Sequence, residues 1–159
     1  MATQIQGPES KLRIRRTFAA PREKVYQAWT ERARLEQWMC RDVPTHRVKY
    51  LELDVRTGGR YVMEVNDSAT GDRYIGQGIY RDVRPPERLV FTWAWKKTMP
   101  DGTESALHDE TQVTVEFQQE ANSTEVVLTH EFFKTAKERE ETNTGWNGCF
   151  DALAKALET

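Results

Sequence analysis

The residues of this sequence best suited to chemistry are one histidine and three tyrosines that are set among apolar side chains. His130 alternates with Leu128 and Phe132 in a strand-like segment, so all three side chains are predicted to point inward. The tyrosines predicted to be buried are Tyr61, Tyr74 and Tyr80. An inward imidazole or phenol has three uses: it completes a hydrogen bond in the core, anchors a ligand in an apolar pocket, or transfers a proton.

Sequence motifs for catalysis or metal binding are missing. There is no GxSxG, GxxxxGK[ST] or HExxH, and His46, His108 and His130 lie far apart. Cys40 and Cys149 form no CxxC and are predicted to be buried, reduced thiols. The sequence therefore favours a binding protein without metal or cofactor over an enzyme.

Aromatic residues are concentrated in one strand-like segment, Leu89–Trp95. Strand periodicity places Leu89, Phe91, Trp93 and Trp95 on one face. Such a face is either close-packed core or the wall of a cavity, and the pattern alone leaves both open.

Paired glycines lie in the elements predicted to face this aromatic row. Gly76 and Gly78 share a strand face, and Gly145 and Gly148 flank Trp146 in a helical segment. Glycine destabilises both kinds of element, so each pair needs a packing reason. The strand pair indicates strong bending or a void beside the aromatic rings, and the helix pair indicates close approach to the sheet or room in a pocket.

Composition narrows the class of protein. The chain has 159 residues and a net charge of −2, without the basic excess that nucleic-acid binding requires. No apolar run is long enough to span a membrane, and the polar N-terminus does not resemble a signal peptide. We expect a cytoplasmic protein with a loose tail at 1–10 and one domain at 11–159.

The predicted elements follow the order strand, two short helices, about six antiparallel strands and a long helix. Pro21 begins the first short helix and Thr30 is predicted to cap the second. The long helix covers about 137–157, where one apolar stripe comprises Trp146, Cys149, Phe150, Leu153 and Leu157. Strands in a run with helices at the ends predict an α+β fold in which the last helix covers the sheet.

Five segments then match a known family in its own order. They are TFAAPREKVYQAWTERARLEQWM at 17–39, GGRYVMEV at 58–65, GQGIYRDVRPPERLVFTW at 76–93, TEVVLTHEFF at 124–133 and GWNGCFDALAKAL at 145–157. The sequence resembles the family named after the activator of the heat-shock-protein-90 ATPase, in the START-like (SRPBCC) superfamily. It resembles only the C-terminal domain of the eukaryotic activator, because it is too short to include the activator's separate N-terminal domain.

The resemblance implies a helix-grip fold, in which a curved sheet of seven strands surrounds the C-terminal helix. It also implies a cavity between the two that holds apolar ligands in many superfamily members. The family has no universal catalytic residues to transfer.

Three functions remain open at this point. The leading hypothesis is binding of a small hydrophobic or aromatic molecule; the alternatives are a chaperone-associated module of the stress response and an enzyme of the cyclase, aromatase or hydrolase type. A homodimer through the outer strands is also open. The predicted ligand-binding residues are Trp38, Tyr61, Met63, Tyr74, Tyr80, Phe91, Trp93, Trp95, His130, Phe132, Trp146 and Phe150.

Overall fold

An antiparallel sheet and three helices make up the part of the chain that the computed structural model describes, residues 7–106 and 109–158. The elements are β1 (Lys11–Phe18), α1 (Arg22–Thr30), α2 (Arg32–Trp38), β2 (His46–Leu53), β3 (Arg60–Asp67), β4 (Arg73–Arg84), β5 (Arg88–Thr98), β6 (Glu104–Ala106), β7 (Thr111–Glu120), β8 (Ser123–Glu131) and α3 (Ala136–Ala156).

The sheet runs in the order β1-β8-β7-β5-β4-β3-β2, and the three-residue β6 pairs with β5 outside this path. The seven strands of the main path and the long C-terminal helix confirm the predicted helix-grip α+β fold. Alternating burial along β3 and β7 gives the sheet one inner face and one solvent face.

The long helix α3 supplies the cover that the inner face requires. Its first turn is capped by Thr135, whose hydroxyl accepts a hydrogen bond from the backbone N–H of Glu138 at 3.2 Å. The predicted apolar stripe is buried, with Phe150 and Leu153 fully inaccessible to solvent. Burial of each large apolar side chain contributes roughly 1.5–3 kcal/mol, and this holds the helix on the sheet.

Two details at the N-terminal side differ from the sequence predictions. Thr30 does not cap α2, because its hydroxyl donates to the carbonyl oxygen of Tyr26 at 3.0 Å and the N-cap is Glu31. Residues Gly7–Ser10, assigned to the tail, form a 3₁₀ turn, and the carbonyl of Ser10 accepts a hydrogen bond from Phe133. The rest of the predicted tail, 1–6, lies outside the described residues.

The predicted inward orientation of Phe132 is wrong. Strand β8 ends at Glu131, and Phe132 takes a left-handed backbone conformation with φ of 78°. The turn interrupts the alternation, so the Phe132 side chain is 56% exposed while Phe133 is buried at 3%. A strand pattern extended by one residue past the end of the ladder therefore assigned the wrong phenylalanine to the interior.

No helix in residues 7–106 and 109–158 combines the length and the apolar character needed to cross a bilayer.

Candidate functional site

A cavity of about 290 Å³, partly open to solvent, lies between α3, the loop 39–46, whose last residue begins β2, and strands β3 to β5. Its walls are predominantly apolar and aromatic. They are formed by Met39, Cys40, Asp42, Val43, His46, Val65, Tyr74, Trp93, Trp95, Thr142, Gly145, Trp146 and Cys149. The volume is close to the lower end of the range for small-molecule sites, roughly 300–1,000 Å³.

The helical wall comes from one face of α3. Thr142, Gly145, Trp146 and Cys149 follow helical spacing and so lie side by side. A Cβ atom added at Gly145 would meet nothing within 4 Å. Glycine at this position therefore leaves space in the cavity that any other residue would occupy.

The sheet wall is made by Trp93 and Trp95, two residues apart on β5. Their ring centroids are 5.5 Å apart in an edge-to-face arrangement, and Trp93 lies 5.1 Å from Trp146 on the helix. Gly76 is the register partner of Trp95, and a Cβ atom at Gly76 would lie 2.8 Å from its indole ring. The missing side chain at Gly76 thus seats the Trp95 ring against the sheet.

The loop wall is tied to the helix through the two cysteines. Cys40 has a left-handed backbone, φ 55°, and its N–H donates to Cys149 Sγ at 3.2 Å. A hydrogen bond to Cys149, together with burial, raises the pKa of the Cys40 thiol well above its ordinary value. Cys40 therefore stays protonated at neutral pH and is not an activated nucleophile.

Among the described residues, those with a carboxylate, imidazole or hydroxyl group that line the cavity are Asp42, His46, Tyr74 and Thr142. The His46 Nε2 atom lies 3.6 Å from the Asp67 carboxylate. The backbone N–H of Ala69, with smaller contributions from Thr45 and His46, lowers the pKa of Asp67, so this carboxylate is ionised beside the imidazole. The cavity is thus an aromatic site with a few polar groups at fixed places.

Comparison with known proteins assigns the chain to a family. The model of the family described as Activator of Hsp90 ATPase homolog 1-like protein matches residues 19–158. The chain belongs to this AHSA1-like family. A search among proteins of curated function found no match.

Solved structures share the fold of this AHSA1-like chain. A Chromobacterium violaceum protein has a TM-score of 0.78 at 24% identity, covering 94% of this chain and 99% of its own. An Arthrobacter aurescens protein has a TM-score of 0.79 at 17% identity, covering 98% and 91%. An AHSA1-like protein from Aeromonas hydrophila has a TM-score of 0.73 at 22% identity, covering 93% and 92%. At these identities the likeness concerns the fold alone.

The structure of the AHSA1-like chain separates the predicted ligand-binding residues into groups. Four of them line the cavity: Tyr74, Trp93, Trp95 and Trp146. Tyr61, Tyr80 and Phe91 lie deeper, around a small inner void that Trp93 also borders. Trp38, Met63 and Phe150 are core residues outside both linings, and Phe132 is on the surface.

His130 is fully buried, as the alternation predicts, but it lines neither the cavity nor the void. Trp146 Nε1–H donates to its Nδ1 atom at 3.0 Å, and its Nε2 atom lies 2.7 Å from Thr111 Oγ1. Because an indole N–H is only a donor, Nδ1 is the acceptor and the proton of the neutral ring is on Nε2. His130 therefore positions Trp146. His108 lies outside the described residues.

The cavity residues absent from the predicted set come mainly from the loop 39–46. A loop has no periodicity from which to infer which side chains face inward. Strand alternation could have identified Val65, because it shares a strand face with Tyr61 and Met63. Extending the stripe of α3 by one turn towards its N-terminus would also have found Thr142 and Gly145.

Proposed function

We propose that this AHSA1-like protein binds a small apolar or aromatic molecule in the cavity between α3 and the sheet. The observation that supports the proposal is the space itself. Trp93, Trp95 and Trp146 surround about 290 Å³ that the chain's own side chains leave unfilled. Protein interiors are normally close-packed, so an aromatic face that was only core would be filled.

The energetics favour a flat, mostly uncharged ligand. Apolar burial contributes about 25 cal/mol per Å² before the costs of binding, and the indole rings add edge and face contacts. Among the residues that the structure describes, no Lys or Arg lines the cavity, and Asp42 is the one ordinarily anionic residue in its wall. An anionic ligand would therefore lose its hydration without gaining a cationic partner.

Filling the cavity from the helix tests the proposal. In Gly145→Leu the added side chain enters open space, and leucine favours a helix interior by roughly 1 kcal/mol over glycine. We expect the variant to fold at least as stably as the wild type and to lose binding of fluorene and biphenyl. Tryptophan fluorescence quenching measures the affinity, and thermal unfolding measures stability and the ligand-induced rise in melting temperature.

The matched control is Thr144→Leu, which adds a similar side chain at the neighbouring exposed position. It should leave the affinity for both probes unchanged. If Gly145→Leu folds and binds as well as the wild type, the ligand site is not this cavity. If the wild type binds neither probe nor any compound of a wider panel of sterols, fatty acids and aromatics, the proposal fails.

A further inference from the structure

Beneath the aromatic cavity lies a second, much smaller void of about 10 Å³. It is lined by Trp29, Leu35, Met39, Tyr50, Tyr61, Tyr80, Phe91 and Trp93. A space of this size holds about one water molecule, or one oxygen atom of a larger molecule. Three phenols in its wall give this void hydroxyl groups among apolar side chains.

The hydroxyl groups in this wall are differently engaged. The Tyr61 hydroxyl donates a hydrogen bond to the carbonyl oxygen of Thr92 at 2.6 Å. No side-chain hydrogen bond links the hydroxyl of Tyr50 or Tyr80 to another described residue, and the buried Nε1–H of Trp29 has no partner there. Because a buried donor is normally paired, the Trp29 N–H leaves the wall one donor without an acceptor, and the two phenols add hydroxyl donors to the same wall.

The phenols of the void are all protonated at neutral pH. Burial is the largest cause that raises the pKa of Tyr50, Tyr61 and Tyr80 well above the ordinary value. Within 7–106 and 109–158, every residue that lines the void is uncharged. The site thus offers hydrogen-bond donors without a cation, which suits a neutral acceptor better than a carboxylate.

Two residues, Met39 and Trp93, line both the inner void and the outer cavity. Methionine is the most adaptable of the large apolar side chains, because it is unbranched and rotates about three bonds. Of the two shared residues, Met39 is therefore the one whose side chain changes rotamer more readily.

We propose that the inner void is the polar subsite of the ligand site, where Tyr50 and Tyr80 donate hydrogen bonds to a neutral carbonyl oxygen. The ligand class is then a flat aromatic ketone or quinone, with its rings between the tryptophans and its oxygen pointing past Met39. The inference rests on the proposed function, because it assigns one end of the molecule bound in the outer cavity.

Two probes that differ in one group test the subsite: 9-fluorenone carries a carbonyl where fluorene carries a methylene. A hydrogen bond to the carbonyl should make fluorenone bind the wild type about tenfold more tightly than fluorene. In the double variant Tyr50→Phe, Tyr80→Phe this preference should fall to about onefold, because neither phenylalanine can donate a hydrogen bond to the carbonyl. The control Tyr26→Phe, a buried tyrosine outside both linings, should keep the tenfold preference.

The carbonyl stretch of bound fluorenone gives a readout on the wild type that does not depend on a variant folding. It should lie at lower frequency than for fluorenone in an apolar solvent, and return towards that value in the double variant. Equal affinity for the two probes, an unshifted stretch, or a preference that survives in the double variant would overturn the subsite and leave the proposed function standing. Failure of both probes to bind would overturn the subsite, and failure of the wider panel as well would overturn the proposed function.

Discussion

His130 lies in the core because strand alternation places it there, and the sequence predicts that much. Its role depends on partners from other elements, Thr111 on β7 and Trp146 on α3, which alternation within one strand does not reveal. The same limit applies to the tyrosines. The sequence predicts that their side chains point inward. It does not predict which tyrosine lines the cavity and which lines the inner void, because that depends on how far each strand extends under the helix.

Replacing His130 by leucine separates a structural role from ligand anchoring. The change leaves the indole N–H of Trp146 and the hydroxyl of Thr111 without their buried partner. We expect the free energy of unfolding to fall by about 1–3 kcal/mol, as measured by urea denaturation. Because His130 lines neither the cavity nor the void, the ratio of the affinities for fluorenone and fluorene should stay as in the wild type. A variant as stable as the wild type that kept its affinity for fluorene but lost that for fluorenone would instead make His130 the ligand anchor.

At the scale of elements, the glycines of β4 show what the sequence pattern leaves undecided. Gly76 and Gly78 share a face, as predicted, and the pattern allowed strong bending or empty space. The register decides, because Gly76 lies opposite Trp95 on β5 and Gly78 opposite Tyr61 on β3. Aromatic rings from both neighbouring strands cover the two glycines, so the space left by the missing side chains is filled. The cavity lies on the other side of these rings.

Alanine at the two glycines should therefore have unequal effects. At Gly78 the added Cβ meets the backbone carbonyl of Thr92, which a side-chain movement does not relieve, and we expect a loss of about 3 kcal/mol in unfolding free energy. At Gly76 it meets the ring of Trp95, which is able to turn, so about 1 kcal/mol should be lost.

The Gly76→Ala variant should also bind fluorene more weakly, since the displaced Trp95 ring would enter the cavity. Urea denaturation and fluorescence quenching measure the two effects. Equal losses of stability at the two glycines, or unchanged fluorene binding in Gly76→Ala, would contradict the seating of Trp95 on Gly76.

At the scale of the whole molecule, the order of elements and the quoted family segments are enough to predict the fold. Phe132 was misplaced because nothing in its sequence context marks the end of the β8 ladder. The loop 39–46 supplies much of the cavity wall, yet its conformation depends on the distant contact between Cys40 and Cys149. Long-range contacts of irregular segments have no sequence period, and this is why the cavity was less predictable than the fold around it.

The central claim is that a ligand sits between α3 and the sheet, and the five indole N–H groups report on it directly. We would titrate the ¹⁵N-labelled protein with fluorene and follow the indole signals in ¹H–¹⁵N correlation spectra. Trp93, Trp95 and Trp146 line the cavity, so their signals should move together and saturate. Trp38, whose Nε1–H donates to the Ala28 carbonyl outside the cavity, should move least. Saturating shifts confined to Trp38 or to residues of the outer sheet face, with the three cavity indoles unmoved, would contradict the account.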